Sequence, residues 1–209
     1  MPATDGMRAA DDRPIVLASA SAVRTRLLAS AGVPHEILPA DIDEADVRDR
    51  LLAEDAPHEQ VAEVLAELKA QKIAAARPDA IVLGADQVLS CAGELFEKPA
   101  GRDGVRDHLR RLGGRSHTLH AAVCAVIDGQ VAWHHTARAD LRMRALSDEF
   151  IERYVAAAGD SARQSVGAYE MEGLGVHLFE NIDGDFYSIL GLPLLPLLDF
   201  LRGERVVMA

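Results

Sequence analysis

The stretch VLGADQV, residues 82–88, sets a carboxylate, Asp86, inside an apolar run. A charge in a strand interior is costly unless it is paired, protonated or bound to a metal. Asp86 is therefore a candidate general base or metal ligand. The plain structural reading is a buried aspartate capping a nearby loop. Gly84, two residues earlier, permits close approach of a ligand or another backbone. A second candidate lies near the start of the chain, in IVLASASAVRTRLLASAGV, where Ser19 and Ser21 separate an apolar run from a helical pattern. That pattern carries Val23, Leu27, Leu28 and Ala31 on one side and stops at Gly32. Arg24 falls in its first turn, where the partial positive charge of a helix N-terminus disfavours a cation. An anion held between Arg24 and the helix end would explain the placement. The other reading makes Ser21 a simple N-cap beside a solvated arginine.

Further charged residues are compatible with the same chemistry and equally with an ordinary surface. Lys98 sits between an acid and a proline in FEKPAG, and Lys69 lies in a long helical pattern. Asp43 and Glu44, in the acidic loop ADIDEADVR, offer carboxylates of the kind that bind Mg²⁺. Other signatures are missing. There is no GxxxxGK[ST] and no GxGxxG, and the GLG at 173–175 precedes a strand pattern instead of coming after one. His117 and His120 are three apart in a strand pattern and face opposite sides. With His134 and His135 they read as surface or core histidines, not as metal ligands.

The elements that must position these residues alternate. Strand patterns cover 14–18, 80–90, 117–127, 130–143 and 174–182, with a short one before the acidic loop. Helical patterns cover 22–31, 58–77, 101–112, 148–157 and 193–201. The long one has Val61, Val64, Leu65, Leu68 and Ile73 as its apolar face. Asp128-Gly129 marks a hairpin, and Ser147 followed by Asp148 and Glu149 marks a helix start. This alternation predicts an α/β fold around a mixed sheet.

The chain has 209 residues, enough for one large domain or two small lobes around a cleft, and 49% are apolar, which allows a full core. A net charge of −11 argues against a general binder of nucleic acid polymers, while a local cluster of cations still suits a polyanionic small substrate. No apolar stretch is long enough to span a bilayer, so no membrane association is expected. Residues 1–13 lack the apolar centre of a signal peptide and read as a disordered tail. The expected domain is 14–203, with 204–209 as a C-terminal tail. Cys91 and Cys124 read as buried thiols of a reduced, cytoplasmic protein.

Taken together, LASASAVRTRLL, Asp43-Glu44, the LKA of Lys69, GADQV, EKP and VGAYEMEGLGVHLFENIDGDFYSILGLPL resemble, in order and spacing, the Maf family of nucleoside triphosphate pyrophosphatases, once described as septum-formation inhibitors. The resemblance covers roughly residues 14–201. It implies an elongated α/β fold like that of inosine triphosphatases, with two lobes around a cleft. It also implies hydrolysis of a nucleoside triphosphate to monophosphate and pyrophosphate with Mg²⁺, Mn²⁺ or Co²⁺, in the manner of nucleotide-pool house-cleaning. By the resemblance, Ser19, Ser21 and Arg24 cradle phosphates, and Lys69 and Lys98 neutralise the triphosphate. Glu44 helps to hold the metal or water, and Asp86 is the general base or a second metal ligand. In the dTTP/UTP branch the base-reading positions carry Arg, Thr and Gln; in the 7-methyl-GTP branch they carry Trp, Gln and Glu. Here they are Val23, Gln87 and Glu172, two of which match the second branch. The RQSV before GAY also departs from the Asp-Lys pair usual in the dTTP/UTP branch. A dTTP/UTP pyrophosphatase and a nucleotide-binding division regulator without needed turnover are the competing readings, and a homodimer is left open.

Overall fold

The computed structural model describes residues 11–208. It is α/β, with seven strands in a mixed, open sheet and seven α-helices among the described residues. The strands are β1 (Ile15–Leu17), β2 (Glu36–Ile37), β3 (Ile81–Cys91), β4 (Glu94–Phe96), β5 (Ser116–Ile127), β6 (Gln130–Met143) and β7 (Phe179–Asp183). The helices are α1 (Ala22–Ser30), α2 (Glu44–Ala53), α3 (His58–Ala74), α4 (Gly101–Leu112), α5 (Asp148–Ala158), α6 (Phe186–Ile189) and α7 (Leu194–Gly203). The sheet order is β2-β1-β3-β5-β6-β7, with β4 also paired to β3. β1 runs parallel to β2 and β3, and the β3–β4 and β6–β7 pairs are antiparallel. β5 and β6 join through Asp128 and Gly129, both at positive φ (51° and 74°), as the tightest hairpin turns require.

The chain divides into two compact units: residues up to Gln87 with Ala121–Ala137 and everything from Phe186 onward, and Val88–His120 with Arg138–Asp185. The long strands β3, β5 and β6 pass from one into the other. The first unit's core sets Leu17, Ile81, Leu83, Val123 and Ala125 of the sheet against Leu27 and Leu28 of α1 and Leu194, Leu197 and Leu201 of α7. In the second, α4 and α5 bury Val105, Leu109, Leu112, Ile151 and Val155.

Four expectations are corrected. The acidic segment at 40–48 is not all loop. Asp43 caps α2, its side chain accepting from the Asp46 N–H at 3.0 Å, and Glu44 and Asp46 favour the positive helix end. Within 174–182, Leu174–Leu178 is a 3-10 turn and only Phe179 onward is strand; the glycines at 173 and 175 close a tight turn there instead. The buried face of α3 is Ala62, Ala66 and Ala70 beside Val61, Leu65 and Ile73, while Val64 and Leu68 are half-buried. The short α6 carried no sequence signal. In the expected tails, residues 1–10 and 209 lie outside the described residues. Arg13 pairs with Asp11 and Glu204, both at 2.9 Å, and Val206 and Val207 are buried in the first unit's core. Among the described residues, no helix is long and apolar enough to cross a membrane.

Candidate active site

Small residues make the central contact. Along β3, Gly84 and Asp86 share one face of the strand. A side chain at Gly84 would put its Cβ 2.0 Å from the Ala66 carbonyl oxygen and 2.7 Å from the Ala70 nitrogen, so only glycine lets α3 lie against the strand this closely. The alanine stripe of α3 is the matching half of that contact. Its consequence is chemical: Lys69, next to Ala70, reaches Asp86, and Nζ donates to Oδ1 at 2.6 Å. The same ammonium is 2.8 Å from Glu44 Oε1, carried at the start of α2. Lys72, one turn further along α3, donates to the Asp41 carbonyl just before α2.

Lys69 and Asp86 are both buried (6% and 7% exposed), whereas Glu44 is exposed. Burial raises the Asp86 pKa above the ordinary carboxylate value, Lys69 and Arg24 pull it down, and Glu44 adds to the rise. A buried carboxylate moved toward neutrality but held by an ammonium has the properties of a general base. The two carboxylates also converge on one cation, here an ammonium.

Arg24 answers its awkward placement in a different way from the one expected. It is buried, and its guanidinium is engaged by the protein: Nε donates to the Gly191 carbonyl (2.8 Å), and Nη1 donates to the Ala85 carbonyl (2.8 Å) and Ser19 Oγ (3.0 Å). Ser19 Oγ also accepts from the Ser21 N–H, and Ser21 Oγ caps α1 by accepting from the Arg24 N–H. Gln87 fixes the same C-terminal turn, its Nε2 donating to the carbonyls of Ser188 (3.0 Å) and Ile189 (3.1 Å). Arg24 and Gln87 thus tie the SILG turn, with Gly191 at φ +97°, to the segment just after β1 and to the middle of β3. The residues missed by sequence reasoning are these backbone carbonyls. Their only signal was the SILGLPL segment, in which no side chain advertises the role.

The structure brings together Ser19, Ser21, Arg24, Glu44, Lys69, Asp86 and Gln87 in the first unit. Val23 is half-buried in α1 and packs against that unit's core. Lys98 and Glu172 belong to the second unit. Lys98 is exposed in the loop before α4, and Glu172 is exposed on the turn just after Tyr169. His117 and His120 are both buried and His134 is exposed, in keeping with core and surface histidines. Among the described residues, no group of three or more His, Cys, Asp or Glu could hold a metal. Cys91 and Cys124 are buried free thiols, and burial pushes Cys124 up to about 12.

The first unit thus buries a carboxylate–lysine pair beside a helix-start serine–arginine motif. The model for Maf-like proteins matches residues 14–204, and the chain belongs to the Maf family. It is 48% identical over 193 residues to the nucleoside triphosphate pyrophosphatase of Paramagnetospirillum magneticum, covering 91% of this chain and 100% of that protein. It is 50% identical over 191 residues to a protein of that name from Nitrobacter winogradskyi, covering 91% of this chain and 94% of that protein. It is 48% identical over 188 residues to the 7-methyl-GTP pyrophosphatase of Mesorhizobium japonicum, with 90% and 94% covered.

Proposed function

We propose that this protein hydrolyses a nucleoside triphosphate to the monophosphate and pyrophosphate. The observation that carries the reading is the buried Asp86–Lys69 pair with Glu44 on the same ammonium. Asp86 takes a proton from the attacking water, and Lys69 keeps the carboxylate ionised and oriented until it does. Water attacks the α-phosphorus, the bond to the bridging oxygen breaks, and pyrophosphate leaves with its new charge neutralised by cations. Lys69 and Lys98 supply that charge, and Ser19, Ser21 and the N-terminus of α1 give the phosphates donors. Arg24 contributes by holding Ser19 and the SILG turn in place.

The residues fit a divalent ion. Asp86 and Glu44 already share one cation, and Mg²⁺ is commonly held by one or two carboxylates with substrate phosphates completing its shell. Mg²⁺, Mn²⁺ or Co²⁺ bound there supplies charge stabilisation to the phosphates.

The substrate we propose is 7-methyl-GTP or a related guanine nucleotide. Guanine presents two adjacent donors, N1–H and the 2-amino group, and an ionised Glu172 is an acceptor that can take both. Methylation at N7 adds positive charge, which a carboxylate favours. Uracil and thymine present one donor between two carbonyls, whose lone pairs a carboxylate repels. The relatives named for 7-methyl-GTP support this choice. The test is a panel of 7-methyl-GTP, GTP, UTP and dTTP with Mg²⁺ or Mn²⁺, scored for pyrophosphate. Pyrophosphate from the guanine nucleotides is expected; orthophosphate as the first product refutes the reaction, and a preference for dTTP refutes the base assignment.

A further inference from the structure

His117 has no part in the proposed chemistry, yet it is among the most buried polar side chains of the second unit, at 2% exposure. Its Nε2 and the Tyr169 hydroxyl form a hydrogen bond of 2.9 Å, and both rings pack against Phe179. Tyr169 is itself buried, and its ring folds back over Gly167 so closely that a Cβ there would lie 2.1 Å from it. Between them Ala168 takes a left-handed conformation, φ +61°, and its carbonyl accepts from the Tyr154 hydroxyl at 3.2 Å. A non-glycine residue adopts that backbone only where its surroundings dictate it.

Beyond Tyr169 the chain enters a turn with little freedom. The Glu170 carbonyl accepts from the N–H of Gly173 (3.1 Å) and of Gly175 (3.2 Å), closing Glu170–Gly173 as a turn with Glu172 third of its four residues. A Cβ at Gly175 would meet the Glu170 carbonyl oxygen at 2.4 Å. On the far side Leu178 is fully buried. Glu172 thus stands at the tip of a turn pinned at both ends, and the nearer pin is Tyr169.

We infer that the buried His117–Tyr169 hydrogen bond is a selectivity-setting positioning device: it fixes the Glu170–Gly173 turn and so the place at which Glu172 presents its carboxylate to the base. The inference rests on the proposed role of Glu172 as the group that reads the base. Neither His117 nor Tyr169 touches the nucleotide; both act through the turn. A bidentate pair with guanine tolerates little displacement, so a turn that wanders loses discrimination before it loses turnover.

The test compares Tyr169→Phe, His117→Leu, His117→Gln and Glu172→Gln in the full chain. Each is read by the ratio of kcat/KM for 7-methyl-GTP over UTP, with kcat and KM separated and Tm recorded. Tyr169→Phe keeps the ring and removes only the hydroxyl. It is expected to lower the ratio roughly five- to tenfold, the scale of one neutral hydrogen bond. The loss should fall mainly in KM for 7-methyl-GTP. His117→Leu should behave alike, and His117→Gln, which still offers a donor and an acceptor to the hydroxyl, should recover most of the ratio. If Glu172→Gln changes the ratio while Tyr169→Phe and His117→Leu change only Tm, the positioning role is refuted and the reading of Glu172 stands. If Glu172→Gln leaves the ratio unchanged, both fail together.

Discussion

Two buried polar clusters, one in each unit, solve the same problem in opposite ways. Around Asp86 and Lys69 the protein keeps full charges out of water and balances them against each other. Around His117 and Tyr169 it keeps the groups neutral: burial pushes His117 down to about 4 and raises Tyr169 above its usual value. A buried ion pair is seldom a net gain over apolar packing, and removing one partner strands the other. A neutral hydrogen bond contributes less and costs less to bury. This fold thus accepts the expensive arrangement where we propose that a proton moves and uses the inexpensive one where we propose that a turn is held.

The contrast is most exposed at Asp86. Asp86→Asn keeps the volume and removes the charge, so kcat for pyrophosphate release should fall at least ~100-fold, the usual scale for a general base, with nucleotide binding largely retained. Turnover near that of the unaltered protein would reduce the charged cluster to a structural one.

Lys69→Met tests whether the pair is held by mutual charge. It leaves Asp86 buried without its ammonium and should cost about 3–5 kcal/mol in denaturant unfolding at neutral pH. The double variant Lys69→Met/Asp86→Asn should recover a substantial part of that loss, because no charge is then stranded. Additive losses would show that the two side chains do not depend on each other.

The neutral cluster should reveal itself through pH. His117 titrates near 4 when folded and near 6.5 when unfolded, so between those values the unfolded chain binds the extra proton. Its contribution is fully present above about pH 6.5 and is lost as pH falls toward 4, amounting to about 3 kcal/mol. Unfolding free energies at pH 7 and pH 4.5 should therefore diverge more for the unaltered protein than for His117→Gln; equal differences would place His117 in contact with water. The smallest effect is expected at Tyr154→Phe, which removes only the bond to the Ala168 carbonyl. It should cost about 1 kcal/mol, seen as a lowered Tm with the selectivity ratio little changed.

Local signals in the sequence were strong enough to place most elements. The Asp128-Gly129 hairpin, the Ser147 cap and the helix over 101–112 depend on residues near one another in the chain, and they stand where the pattern put them. Arg24 and Asp86 were legible because each is a charge in a position that ordinary packing does not favour, whereas Lys69 read equally as a solvated helix lysine until the family resemblance singled it out. Their partners were not. Asp86 looked unpaired in the sequence because its ammonium arrives from a helix seventeen residues earlier, through a contact that only Gly84 permits.

Arg24 marks the boundary between the two kinds of knowledge. Its residue type and position were enough to mark an arginine in the first turn of α1 as electrostatically misplaced, since helix electrostatics is a local property. Which partner it has on the protein depends on long-range folding: the carbonyls of Ala85 and Gly191 are 61 and 167 residues away. The same holds for His117, whose strand pattern was plain and whose hydroxyl partner lies 52 residues on. Patterning reports whether a side chain is to be buried or bonded, because that depends on its own chemistry and its neighbours' spacing. It does not report with what, because backbone carbonyls and distant hydroxyls leave no trace in residue type until the chain brings them within hydrogen-bonding range.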